Sequence, residues 1–147
     1  KAKALCDENL IFLQNNQLTQ SYGFINTISV LGLIYWGVGE YKKAESYLKE
    51  SLYLHNKFLY NKKLSFPRTL LYLGLIYHDL DVVEQATPIL IQSVEAYKEV
   101  KPLNYVELAQ ALVDLGRMRI RLKEFNEAEH LINEGIKIYK KSHMEDH

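Results

Sequence analysis

With 147 residues, 48 % of them apolar and 24 % charged, the chain has the composition of a globular domain with a sizeable buried core. Lys+Arg and Asp+Glu both number 18, so the formal charge is zero, which argues against a sequence-independent nucleic-acid surface. Cys6 is the only cysteine, which excludes an intramolecular disulfide and makes a reducing, cytoplasmic setting the expectation. No apolar run reaches the roughly 18–20 residues that cross a bilayer, so no membrane partner is expected.

In chain order the same pattern returns at a fixed interval. Gly32, Gly74 and Gly116 are spaced 42 residues apart, each preceded by Leu. A period of this size predicts an all-α stack of antiparallel helical hairpins, an α-solenoid of about seven helices, in a single array over residues 1–147. Residues 1–24 align one period back from Lys43-Ala44 through Phe66, so the chain is read as opening on the second helix of a repeat, with an exposed apolar face. The absence of an initiator Met and of a signal peptide is read as a piece of something longer.

Residues 25–66 make the first full repeat, with helices expected at about 20–38 and 41–58, broken at Gly37 and Gly39. Residues 67–108 make the second. There Ser65 is the expected N-cap, with Pro67 in the first helical turn. Asp81-Val82-Val83-Glu84 reads as a capping box. Pro88 predicts a kink or a later helix start. Residues 109–147 make the third, with helices at about 104–122 and 125–141 around a Lys123-Glu124 turn.

Counting each repeat from Ile25, Pro67 and Ala109, position 8 is always Gly, position 20 is Ala (Ala44, Ala86, Ala128), and position 27 is Ser51, Ser93 or Gly135. Small residues at these points let the two helices of a hairpin approach closely. Positions 7, 11, 24 and 28 are mostly large and apolar, among them Leu31, Tyr35, Leu48, Leu73, Tyr77, Leu90, Leu115 and Ile132. One hairpin cannot bury that surface alone, so neighbours must stack.

This pattern resembles the tetratricopeptide repeat in every copy. The 42-residue period is similar to the long-repeat subtype of kinesin light chains and bacterial relatives, whose inter-repeat loop reads acidic-His-Pro. Asp146-His147 falls at that register, which implies a further repeat beyond it. The resemblance implies a right-handed superhelix that binds a protein or peptide segment in the groove of the first helices, at positions 2, 5, 6, 9, 12 and 13. Those positions supply the expected groove residues Asn26, Leu33, Trp36, Arg68, Tyr72, Leu75, His78, Asp114, Arg117 and Arg121. The groove would start apolar, turn aromatic at Trp36 and Tyr72, and end basic at Arg117 and Arg121, so an apolar-plus-acidic ligand is the expected complement. The Lys/Asn carboxylate clamp of chaperone-binding repeats is absent, since positions 5 and 9 are Ser29, Leu33, Leu71 and Leu75. The Asn pair of kinesin light chains is absent too. Arg119 replaces the position-11 Tyr, either as a changed junction or as a groove charge.

Other constellations point to structure. Cys6 occupies a packing position and is expected to be a buried, inert thiol. His143 and His147 share a helix face but lack a third ligand, so no metal is expected; no phosphate loop and no nucleophile–base set is visible, so no cofactor and no enzyme activity is expected. The leading reading is a non-catalytic interaction scaffold. The alternative is a sensor or oligomerisation segment of a larger regulator, such as a signal-transducing ATPase or a transcription activator. End-to-end self-association is expected from the open ends.

Overall fold

A computed structural model describes residues 1–145; the Asp146-His147 register lies outside them. Seven helices follow one another: α1 (Ala2–Asn15), α2 (Tyr22–Gly37), α3 (Tyr41–Lys57), α4 (Ser65–Asp79), α5 (Val83–Glu99), α6 (Tyr105–Arg121) and α7 (Phe125–Glu145). There is no strand among the described residues. The tightest pairs are α2 on α3, α4 on α5 and α6 on α7, with α3–α4 and α5–α6 as seams between hairpins and α1 laid on α2.

Each hairpin turns in three residues, and the middle one, Gly39, Asp81 or Lys123, is left-handed with φ of 80°, 61° and 62°. The next amide returns to the helix: Glu40 N donates to Tyr35 O at 2.9 Å, Val82 N to Tyr77 O at 2.8 Å and Glu124 N to Arg119 O at 2.9 Å. This is the Schellman closure, which satisfies carbonyls orphaned at a helix end. It corrects the expected capping box. Asp81 terminates α4 and does not start α5; the N-cap of α5 is Val82, with no side-chain bond.

Ser65 is a second correction. It is the first residue of α4 behind an N-cap Leu64, and its hydroxyl lies 2.6 Å from His55 Nε2. The hydroxyl is taken by the imidazole and is not free to cap. The helix expected to start late or kink at Pro88 begins at Val83 and runs to Glu99, with Pro88 its sixth residue. Glu84, whose carbonyl loses its partner there, is exposed and can bond water instead.

The repeated glycines mark the closest approach within each hairpin. A Cβ on Gly32 would sit 2.7 Å from Leu48 Cγ, one on Gly74 2.7 Å from Leu90 Cγ, and one on Gly116 2.7 Å from Ile132 Cγ1. Position 27 repeats the device in polar form. Ser51 Oγ donates to Ile25 O at 3.2 Å and Ser93 Oγ to Pro67 O at 2.8 Å, while a Cβ on Gly135 would meet Ala109 O at 3.0 Å. Around these points Leu48, Ile76, Leu90, Leu112 and Met118 belong to one continuous buried core.

The α3–α4 seam is polar inside. His55, fully buried, has Nδ1 2.8 Å from Ser51 O and Nε2 against Ser65 Oγ, and Ser29 Oγ lies 2.5 Å from Ser51 Oγ and 2.8 Å from Thr69 Oγ1. Each of these seam side chains has a partner, as burial away from water demands. One period later the same pair of positions holds Tyr97 and Glu107, whose phenol donates to the carboxylate at 3.1 Å. By contrast α1 buries no residue, and Leu5, Ile11 and Phe12 lie exposed along it. Cys6, expected to be buried, is only half-buried because α1 is covered on one side alone.

Candidate functional site

Helices α2, α4 and α6 line a groove of about 650 Å³. Seven of the ten expected residues meet in it: Trp36, Arg68, Tyr72, Leu75, His78, Asp114 and Arg117. Asn26 and Leu33 lie in an adjoining recess of about 220 Å³, which shares Arg68 and Tyr72 with the main groove. Arg121 lines neither. Its guanidinium is ion-paired to Asp81 and lies 3.4 Å from His78 O, which fastens α6 to the α4–α5 turn.

The aromatic part is compact. Trp36 and Tyr72 are half-buried with ring centroids 6.1 Å apart and planes inclined by 40°. Trp36 Nε1 donates to Asp79 Oδ2 at 2.8 Å, tying the end of α2 to the end of α4. The other carboxylate oxygen of Asp79 lies 3.2 Å from His78 Nδ1. Trp36 and His78 stand one period apart and so occupy the same position in successive repeats.

The charges of the groove are largely satisfied within it. Glu107 grips Arg68 with both oxygens, one of them 2.7 Å from Arg68 Nε, while also accepting from Tyr97 Oη and from Asn104 Nδ2. The carboxylate holds the Arg68 guanidinium above its usual pKa against the opposing effect of burial. Burial, reinforced by Glu107, pushes the Tyr97 phenol up. Asp114, nearly buried, accepts from Gln110 Nε2 at 3.2 Å and pairs with Arg117 at 3.4 Å. The expected basic end is therefore corrected: Arg117 and Arg121 each face a carboxylate of the chain. Two arginines, three carboxylates and His78 line the groove.

Tyr97 and Glu107 were missed by the positional reading. Both stand outside the first-helix positions it considered, yet Glu107 lies 39 residues after Arg68, close to one period, and that near-repeat was the available signal. Arg119, left open above, is not a groove charge. It bonds Glu124 at 2.5 Å, and its Nε lies 3.3 Å from Glu127 without hydrogen-bond geometry, at a recess between α6 and α7. His143 stacks on Tyr139 at 4.3 Å, its proposed partner His147 lies outside the described residues, and no metal-binding group of three is found among the described residues.

Two tetratricopeptide-repeat family models match, one over residues 65–141 and the other over residues 27–57. Among curated proteins none matches this sequence. Among solved structures, BtubC (BKLC) from P. vanneervenii is similar with a TM-score of 0.83 and 17 % identity, over 94 % of this chain and 55 % of that one. A putative kinesin light chain of Podosopora anserina with nearly identical TPR-like repeats superposes with a TM-score of 0.67 at 18 % identity, over 95 % of this chain and 66 % of that one. A variant of the latter gives 0.70 at 17 %. The chain spans 55–66 % of the lengths of these structures. The fold is thus an α-solenoid of the kinesin-light-chain-like kind, and with more than half of the sequence matched, the chain belongs to the tetratricopeptide-repeat family.

Proposed function

We propose that the chain is a non-catalytic scaffold that holds a segment of a protein partner in the groove of α2, α4 and α6. Tetratricopeptide repeats generally mediate protein–protein interaction, and the observation that carries the finer reading is the half-buried Trp36–Tyr72 pair at the groove surface. Large aromatic side chains anchor interfaces because they bury much area for few frozen torsions. The partner segment is apolar, and it need not be acidic, because the groove arginines already face carboxylates. No described helix is long and apolar enough to cross a membrane.

Peptides selected on the chain from a random library test this. Binding should fall at least about tenfold with Tyr72→Ala and with Trp36→Ala, a loss of about 1.4 kcal/mol or more. Affinity unchanged in both variants would place the site elsewhere. A second reading, in which the repeats dock on their own chain or a second copy, draws on the exposed Leu5, Ile11 and Phe12 of α1. Light scattering at high concentration tests docking on a second copy, and a strict monomer would reject that form of it.

A further inference from the structure

We infer that the groove selects a segment carrying a cationic side chain, seated against Asp79 and over the faces of Trp36 and Tyr72. This deepens the interaction reading above and rests on it. Three observations converge. First, the groove holds one carboxylate more than it holds arginines. Second, that surplus is localised. Glu107 is closed on Arg68, and Asp114 is nearly buried beside Arg117, whereas Asp79 keeps about a third of its side chain exposed and meets only the neutral Trp36 indole and the His78 ring. Third, the aromatic rings beside Asp79 are half-buried and lean on each other. Lysines elsewhere lie over Tyr35 at 5.4 Å and over Tyr77 at 5.8 Å, but among the described residues no lysine or arginine of the chain covers Trp36 or Tyr72.

The neighbouring cation cannot fill the place, because Arg121 is turned to Asp81 and the His78 carbonyl. A guanidinium or ammonium entering here would gain a carboxylate and two aromatic faces in one partly dry recess, where cation–π attraction is strongest on Trp. An acidic side chain would meet Asp79 instead, and the cation most open to it would be Arg117, about 60 % exposed and already facing Asp114. Charge complementarity therefore favours a basic residue flanked by apolar ones, the apolar neighbours covering Leu71 and Leu75.

Trp36 is the only tryptophan, so its fluorescence reports on this corner directly. The test titrates the chain with three blocked pentapeptides, Leu-Phe-X-Leu-Ala, in which X is arginine, norleucine or glutamate. The arginine peptide should bind at least about tenfold more tightly than the norleucine one, and the glutamate peptide most weakly. Asp79→Asn keeps an oxygen for the Trp36 N–H while removing the charge, and should reduce the arginine-to-norleucine ratio below about threefold. Equal affinities for arginine and norleucine, tightest binding by glutamate, or a ratio untouched by Asp79→Asn would overturn the inference and leave the groove reading standing. Failure of all three peptides to perturb Trp36 in a folded sample would overturn both.

Discussion

Gly32 offers the sharpest check on the packing. Replacing a helical glycine by alanine ordinarily stabilises by about 0.5–1 kcal/mol, because the unfolded chain loses freedom and the helix gains a better former. At Gly32 the new methyl would stand 2.6 Å from Leu48 Cδ2, 2.7 Å from Leu48 Cγ and 3.3 Å from the Ala44 carbonyl oxygen. Leu48 Cγ is near the root of a fully buried side chain and the carbonyl is backbone, so neither can swing aside. Helices α2 and α3 must separate, and overpacking of this kind costs about 1–3 kcal/mol. Gly32→Ala should therefore be less stable than the parent by about 1–2 kcal/mol, a fall in Tm of a few degrees at about 2–4 °C per kcal/mol. Gly37 is the internal control. It lies on the same helix with nothing within 4 Å of an added Cβ, so Gly37→Ala should gain about 0.5 kcal/mol. Thermal and urea unfolding followed by far-ultraviolet circular dichroism measure both. A Gly32→Ala protein at least as stable as the parent would refute the close-approach argument, and Gly74→Ala and Gly116→Ala should follow the same sign.

Three further expectations rest on single side chains. Burial holds the His55 imidazole below its usual pKa, opposed only by the backbone bond to Ser51. The unfolded chain thus takes the proton more readily, so the His55 contribution is complete above about pH 6.5 and is lost as pH falls below it; an NMR titration midpoint at or above about 6.5 would contradict this. A double-mutant cycle over Arg68→Ala and Glu107→Ala should return a coupling of about 1 kcal/mol, modest because both groups are partly exposed to solvent screening; a coupling of zero would show that the pair does not join α4 to α6. Leu59 is left-handed at φ 61° and 81 % exposed, so Leu59→Gly should relieve strain and raise the urea midpoint, equivalent to a gain of about 0.5 kcal/mol, whereas a lower midpoint would count against it.

The architecture was readable because its determinants repeat. Gly32, Gly74 and Gly116 share one role at one register, and the four helices with expected bounds, α2, α3, α6 and α7, end within a few residues of them. What failed were residues with two available jobs. Asp81 and Ser65 are both good N-cap types, but the Schellman turn claims the backbone of the first and His55 claims the hydroxyl of the second. Arg68 and Arg121 looked free because their carboxylates, Glu107 and Asp81, come from another helix and a turn, and helical phase says nothing about who reaches across a seam; Asp114, three residues before Arg117 on the same helix, was the pairing that spacing offered.

The glycine contacts all fall between helices of the same hairpin, whereas Trp36–Asp79, Arg68–Glu107 and His55–Ser65 all cross from one hairpin to the next. Each hairpin is thus a stiff plate, and the plates are joined by directional polar latches at their margins. Any bending of the array to admit or grip a guest should occur at these latches, two of which border the groove, so that occupancy and curvature would be governed by the same few side chains.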